Sequence, residues 1–148
     1  MYKCYTDGAA SKNGYEGAIA GWAFVIYDEE DKIICEDAGR IDGGTNNIGE
    51  LTAILRAMQY INKNLRAHPV SIFTDSAYCF NGITSWMNNW KNNGWTRGAQ
   101  KEKLKNKEIW IGIDENYDPV LMTLSKVKGH ADDEKNNYVD KKAVAQTK

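Results

Sequence analysis

The sequence is poor in the features that mark several large protein classes. Only two of its 148 residues are proline, Pro69 and Pro119. There is no internal repeat, low-complexity tract or Pro/Ser-rich linker, so nothing announces a domain boundary. The three cysteines, Cys4, Cys35 and Cys79, are odd in number and include no C-x-x-C pair, which speaks against a disulfide framework and against a zinc cluster. They read as packing residues of strands and a helix. No apolar run approaches the roughly 20 residues that span a bilayer, and the stretch from Met1 to Asp7 lacks the apolar segment of a signal peptide. Net charge is scarce as well: 19 basic and 20 acidic side chains leave −1 at neutral pH, alongside 42% hydrophobic residues. That is too little charge and too much apolar content for a disordered chain. The expectation is a single soluble, cytoplasmic domain over residues 1–148, without membrane contact and long enough to bury a substantial core.

The near-neutral total conceals an uneven distribution. Six acids and one base lie between Asp28 and Asp37, and six bases and one acid between Lys91 and Lys107. A solvated face is the ordinary explanation of either run alone. The basic run, however, adjoins Trp86, Trp90 and Trp95. Cations for phosphates beside flat rings for bases or sugars are a footprint of nucleic-acid binding.

Residues 1–8 alternate and end at Asp7-Gly8, which predicts a strand followed by a turn. Residues 17–27 and 32–39 predict two further strands joined by an acidic hairpin turn. Gly43 to Asn47 opens a helix in which Leu51, Leu55, Met58, Ile61 and Leu65 recur every three or four residues. Val70 to Thr74 reads as a short strand running into Asp75-Ser76, a helix start. Residues 76–114 read as helical pieces broken near Asn92-Asn93-Gly94, residues 121–127 as a last strand, and 136–147 as a closing helix. A meander followed by strands alternating with helices predicts an α/β fold built on a mixed sheet, with the later strands added in parallel through helical crossovers.

Four carboxylates stand out, and each has an ordinary explanation. Asp7 precedes a glycine, as turn aspartates do. Asn47-x-x-Glu50 resembles a capping box, Asp75 sits where an N-cap aspartate is common, and Asp140 falls in an amphipathic helix. Together they say more. Asp7 and Asp75 both lie at carboxyl ends of strands, where open sheets with crossovers form their sites. Carboxylates gathered there repel one another unless a cation intervenes, and all-oxygen ligation favours Mg²⁺ or Mn²⁺ over zinc.

The motifs Tyr5-Thr6-Asp7-Gly8, Thr45-Asn46-Asn47-x-x-Glu50-Leu51, Thr74-Asp75-Ser76 and Val127-x-Gly129-His130-Ala131, with Asp140 ten residues after the histidine, resemble type 1 ribonuclease H. Asn81-Gly82-Ile83-Thr84-x-Trp86-x-x-x-Trp90-Lys91-x-x-Gly94-Trp95 is similar to that family's basic protrusion, or handle. The resemblance runs from Tyr2 to about Ala145. It implies the ribonuclease H-like fold, a five-stranded mixed sheet with helices on both faces and a helical basic handle. It also implies an endonuclease that cuts the RNA strand of RNA–DNA hybrids, leaving 5′-phosphate and 3′-hydroxyl ends, and that works as a monomer. Asp7, Glu50, Asp75 and Asp140 would be its metal-binding carboxylates, holding two Mg²⁺ ions, with Mn²⁺ as a substitute, in a two-metal mechanism. His130 would serve proton transfer or product release, with Asp132, Asp133 and Glu134 beside it favouring its protonated form.

The same resemblance assigns substrate contacts. Asn13, Asn46 and Asn47 match positions that read the RNA strand across the minor groove. Tyr78, Trp86 and Trp90 match a channel for the DNA strand, with Trp86 expected to be exposed and Trp90 partly so. Thr45 and Asn106 match a phosphate pocket for the DNA backbone. The chain departs from the family pattern at Gly43, where many members have arginine, at Ala77 and at Asn137. The first catalytic strand begins at residue 2, so no N-terminal hybrid-binding module is expected. Two other readings share parts of the pattern: a nuclease domain related to that of reverse transcriptases, and a non-catalytic hybrid-binding protein. Integrase and transposase relatives would keep the acids but not the tryptophan-bearing handle.

Overall fold

The computed structural model describes residues 1–12, 15–97, 102–103, 106–127 and 133–148. Its elements follow in the order β1 (Tyr2–Ser11), β2 (Ile19–Tyr27), β3 (Ile33–Asp42), α1 (Asn46–Asn64), β4 (Val70–Thr74), α2 (Ala77–Asn81), α3 (Met87–Asn92), β5 (Thr96–Arg97), β6 (Glu102–Lys103), α4 (Lys107–Asn116), β7 (Met122–Lys126) and α5 (Glu134–Ala145). A π-helical stretch, Gly82–Trp86, joins α2 to α3.

Five strands form one sheet in the order β3-β2-β1-β4-β7. β1, β2 and β3 are the antiparallel meander, and β4 and β7 are added in parallel beyond β1. This is the mixed sheet that the alternation of strands and helices predicts. β5 and β6 form a separate two-stranded ribbon beyond the break at Asn92-Asn93-Gly94, inside a stretch read as helical pieces, because two residues per strand leave no period to read.

The pleat sorts β1 and β2 onto two faces. Cys4, Trp22, Phe24 and Ile26 join the larger core with Leu51, Ile54, Met58 and Ile61 of α1 and Trp110 and Ile113 of α4. Ala23, Val25 and Tyr27 form a smaller core with Val139 and Ala143 of α5. Both helices approach the sheet at backbone distance. A Cβ on Gly8 would stand 2.2 Å from the Glu50 backbone nitrogen, and one on Gly21 would stand 2.1 Å from the Ala143 carbonyl oxygen. Gly8 is therefore clearance for α1 and not a turn residue. Strand β1 accordingly runs straight through Asp7-Gly8 to Ser11, with Gly8 paired to Trp22, where the sequence reading ended it. All three cysteines are free. Among the described residues no helix is long and apolar enough to cross a membrane.

Candidate active site

β1 and β4 are parallel neighbours with Tyr5 opposite Phe73. Two residues further along each strand's chain stand Asp7 and Asp75, and the Thr6 hydroxyl ties β1 to β4 by donating to the Phe73 carbonyl at 2.9 Å. Glu50 enters from α1, carried onto β1 by the bare backbone of Gly8. Asp7, Glu50 and Asp75 each place a carboxylate oxygen within 4.8 Å of the others. Asp7 and Glu50 are buried. Asp140 comes from the opposite face on α5, where it is exposed to solvent yet near enough to Asp7 to help raise its pKa.

The ordinary explanations of these acids do not hold. α1 is capped by Thr45, whose hydroxyl accepts from the Ile48 N–H at 3.2 Å, so Asn47 is not the cap and Glu50 not its reciprocal partner. α2 is capped by Ser76, which accepts from the Cys79 N–H at 3.1 Å, so Asp75 is not a cap either. Asp7 lies within a strand. Its Oδ1 accepts the Gly8 N–H at 2.9 Å.

Burial is the main influence on all three inner carboxyls, and it disfavours their charged forms. The Glu50 carboxyl is pushed well above the usual carboxylate range by burial and then by the charge of Asp7. Burial, with the nearby Asp75 and Asp140, likewise raises Asp7, against the opposing effect of Glu50 and, more weakly, of the Gly8 N–H. Asp75, less enclosed, is raised by burial in the same direction. Glu50 Oε2 is buried with no hydrogen-bond partner, an arrangement that costs free energy unless something supplies the missing contact. A hard divalent cation fits this donor set: oxygen ligands only, mutually repelling, with one oxygen left unpaired.

Along the α2–α3 helical run and α4 lies an aromatic cluster. Trp90 meets Trp110 edge-on at 5.0 Å, Tyr78 meets Trp110 at 5.6 Å, and Trp86 lies 5.9 Å from Trp90. Trp86 is 40% exposed and Trp90 half-buried. The Tyr78 hydroxyl accepts from Trp110 Nε1 at 3.3 Å and from Asn106 Nδ2 at 3.5 Å. Asn106 itself holds a left-handed backbone, φ 61°. Asn46 and Asn47 are exposed on the first turn of α1, beside Glu50 in sequence. Asn13 and His130 lie outside the described residues. Asp133 caps α5, accepting from the Asn136 N–H at 3.0 Å.

The sequence reading passed over Trp110. It is fully buried and faces Gly82 so closely that a Cβ there would stand 2.1 Å from its ring. The spacing of Trp110 from Ile113 marks a buried helix face, but its partner across 28 residues of chain is not readable from a period.

The sequence model of the RNase H family matches residues 1–148. A ribonuclease H of Clostridium botulinum is 39% identical over 140 residues, covering 94% of this chain and 90% of that one. The chain belongs to the ribonuclease H family. It is accordingly an enzyme of that family, and the carboxylates converge where β1, the end of β4 and α1 meet in a ribonuclease H fold. The solution structure of the PFV RNase H domain superposes with a TM-score of 0.81 at 26% identity, covering 99% of this chain and 93% of that chain. A foamy viral protease-reverse transcriptase solved in complex with an RNA/DNA hybrid has a TM-score of 0.84 at 22% identity, covering 99% of this chain but 20% of the longer one; at that identity it supports the ribonuclease H fold alone.

Proposed function

We propose that this chain, as one domain over residues 1–148, is an endonuclease that hydrolyses the RNA strand of RNA–DNA hybrids. The single observation that carries the reading is the buried convergence of Asp7, Glu50 and Asp75 within 4.8 Å, in a chain that belongs to the ribonuclease H family. Asp7, Glu50, Asp75 and Asp140 would hold Mg²⁺ or Mn²⁺. Bound there, two such ions would acidify the attacking water and neutralise charge developing on the phosphate.

The chain's own residues do the rest. Thr6 and the Gly8 contact hold β1, β4 and α1 together, so the carboxylates are organised before substrate arrives. Asn46 and Asn47, exposed beside Glu50, can donate to and accept from 2′-hydroxyls, which only the RNA strand carries. Tyr78, Trp86 and Trp90 offer flat surfaces to deoxyribose, with Trp86 the most open of the three to solvent. Asn106, beside the Tyr78 hydroxyl, and Thr45 take the DNA phosphate. Asn13 is assigned to the RNA strand and His130 to proton transfer by their motif positions. Cleavage leaves 5′-phosphate and 3′-hydroxyl ends.

The test offers end-labelled RNA–DNA hybrid, RNA duplex and DNA duplex to the protein with Mg²⁺, with Mn²⁺ and with chelator. Cutting of RNA only in the hybrid and only with metal, yielding RNA ends that a phosphatase must treat before relabelling, is the expected result. Hybrid held without cutting in either metal would make the chain a binding module.

A further inference from the structure

The acidic run between Asp28 and Asp37 is not merely a solvated face. Glu36 Oε1, on β3, accepts the Tyr138 hydroxyl at 2.8 Å and pairs with Lys142 Nζ at 2.6 Å. Asp31 Oδ1, in the β2–β3 turn, pairs with Lys135 Nζ at 3.7 Å and with Lys3 Nζ at 3.3 Å. The Lys135 ammonium also lies over the Tyr27 ring, 5.2 Å from its centroid. Lys135, Tyr138 and Lys142 recur at helical spacing, so they line one flank of α5. Both members of the Glu36 contact respond as a working pair does: Glu36 is held below the usual carboxylate range, chiefly by Lys142, and Lys142 is raised by Glu36.

The opposite flank of α5 carries Asn136 and Asp140, four residues apart. Between the two flanks runs a thin buried stripe, Val139 and Ala143 against Ala23, Val25 and Tyr27. The stripe brings α5 close onto β2, where a Cβ on Gly21 would stand 2.1 Å from the Ala143 carbonyl oxygen, and close-packed contacts of this kind transmit displacement of one side of a helix to the other. Glu36 sits opposite Val25 in the ladder, level with that stripe, where a contact has the longest lever on the roll.

We propose that Glu36, seconded by Asp31, is a positioning residue: by gripping Tyr138 and Lys142 it sets the roll of α5 and thereby holds the Asp140 carboxylate against Asp7. The acidic hairpin and the catalytic centre lie on opposite flanks of one helix, and the grip on one side fixes the reach on the other. This rests on the functional reading above for its consequence in catalysis, but not for the roll itself.

The experiment compares wild type with Glu36→Ala, Glu36→Gln and the neighbouring control Asp37→Asn. Metal-free ¹⁵N NMR spectra report the roll directly. Glu36→Ala is expected to shift the amides of Asn136 and Asp140 as well as those of Tyr138 and Lys142, with α1 unchanged. Asp37→Asn removes a charge that reaches Lys142 only weakly, and is expected to shift the Lys142 flank slightly and the Asp140 flank not at all. Calorimetric Mg²⁺ titration and cleavage of the hybrid then report the consequence. Glu36→Ala is expected to weaken Mg²⁺ binding and lower kcat by about tenfold, the lower end of what supporting partners of metal ligands contribute, with KM for hybrid unchanged. Glu36→Gln, which still accepts from Tyr138, recovers part of the loss. In an Asp140→Asn background Glu36→Ala costs nothing further, as two residues acting through one contact require. Amide shifts confined to the Tyr138 flank, or an equal loss in the Asp140→Asn background, would overturn the proposal. If the wild type cuts no hybrid, the functional reading fails while the metal-free spectra still decide the roll.

Discussion

At Glu50, burial and the charge of Asp7 both favour the protonated carboxyl. A carboxyl whose folded pKa lies above its unfolded one binds more protons in the native state, so stability falls as pH rises from the ordinary carboxylate range toward the raised value. Asp7 and Asp75 act in the same direction. The metal-free protein should therefore melt at a lower temperature at about pH 8 than at about pH 5, in calorimetric scans with chelator. Glu50→Gln should raise the melting temperature at the higher pH by a few degrees and flatten the dependence. Millimolar Mg²⁺ should raise the wild-type melting temperature at that pH, and raise that of the variant much less. A wild-type melting temperature that climbs between those two pH values would contradict the electrostatics argued here.

Elements are held by contacts of very different weight, and substitutions should separate them. Gly8→Ala drives a Cβ into the α1 backbone, with 2.2 Å to Glu50 N and 2.4 Å to the Gly49 carbonyl carbon. It should destabilise by about 3 kcal/mol or more, at the severe end for overpacking, in denaturant titrations. Trp110→Ala empties a fully buried site and should cost about 3–5 kcal/mol. Trp86→Ala should leave the denaturation midpoint almost unmoved and weaken hybrid binding by about 1–3 kcal/mol, as loss of a stacking surface does. This contrast also shows what a sequence can reveal. The five sheet strands and α1 were legible because alternation and the three-to-four spacing are local. The end of β1, the caps of α1 and α2, and the role of Trp110 were not, because each depends on a contact distant in the chain. Gly8 looks like a turn until α1 lies on it, and Asp75 like a cap until Ser76 takes the Cys79 N–H. The four acids were legible as candidates from their motifs and, for Asp75, from a strand end, but the grip of Glu36 on α5 was hidden in what read as a charge run.

Over the whole molecule, a net charge of −1 means that the surface as a whole does not attract a polyanion. On the proposed function, hybrid is expected to bind through the basic, tryptophan-bearing sequence between Trp86 and Lys107, while the acidic hairpin is engaged with α5. Affinity for hybrid should accordingly fall steeply with salt, log K declining linearly with log salt concentration, in fluorescence anisotropy with labelled hybrid and chelator present. Cutting of RNA in hybrids by the buried carboxylates with bound metal is decided by single-turnover cleavage of a hybrid labelled on its RNA strand, wild type beside Asp75→Asn, with hybrid affinity measured on the same samples. The expected result is Mg²⁺-dependent cleavage by wild type and a loss of at least about a hundredfold in the variant, on the scale of losing electrostatic stabilisation of a transition state, with affinity retained. Equal cleavage by both proteins, or cleavage that persists in chelator, would contradict it.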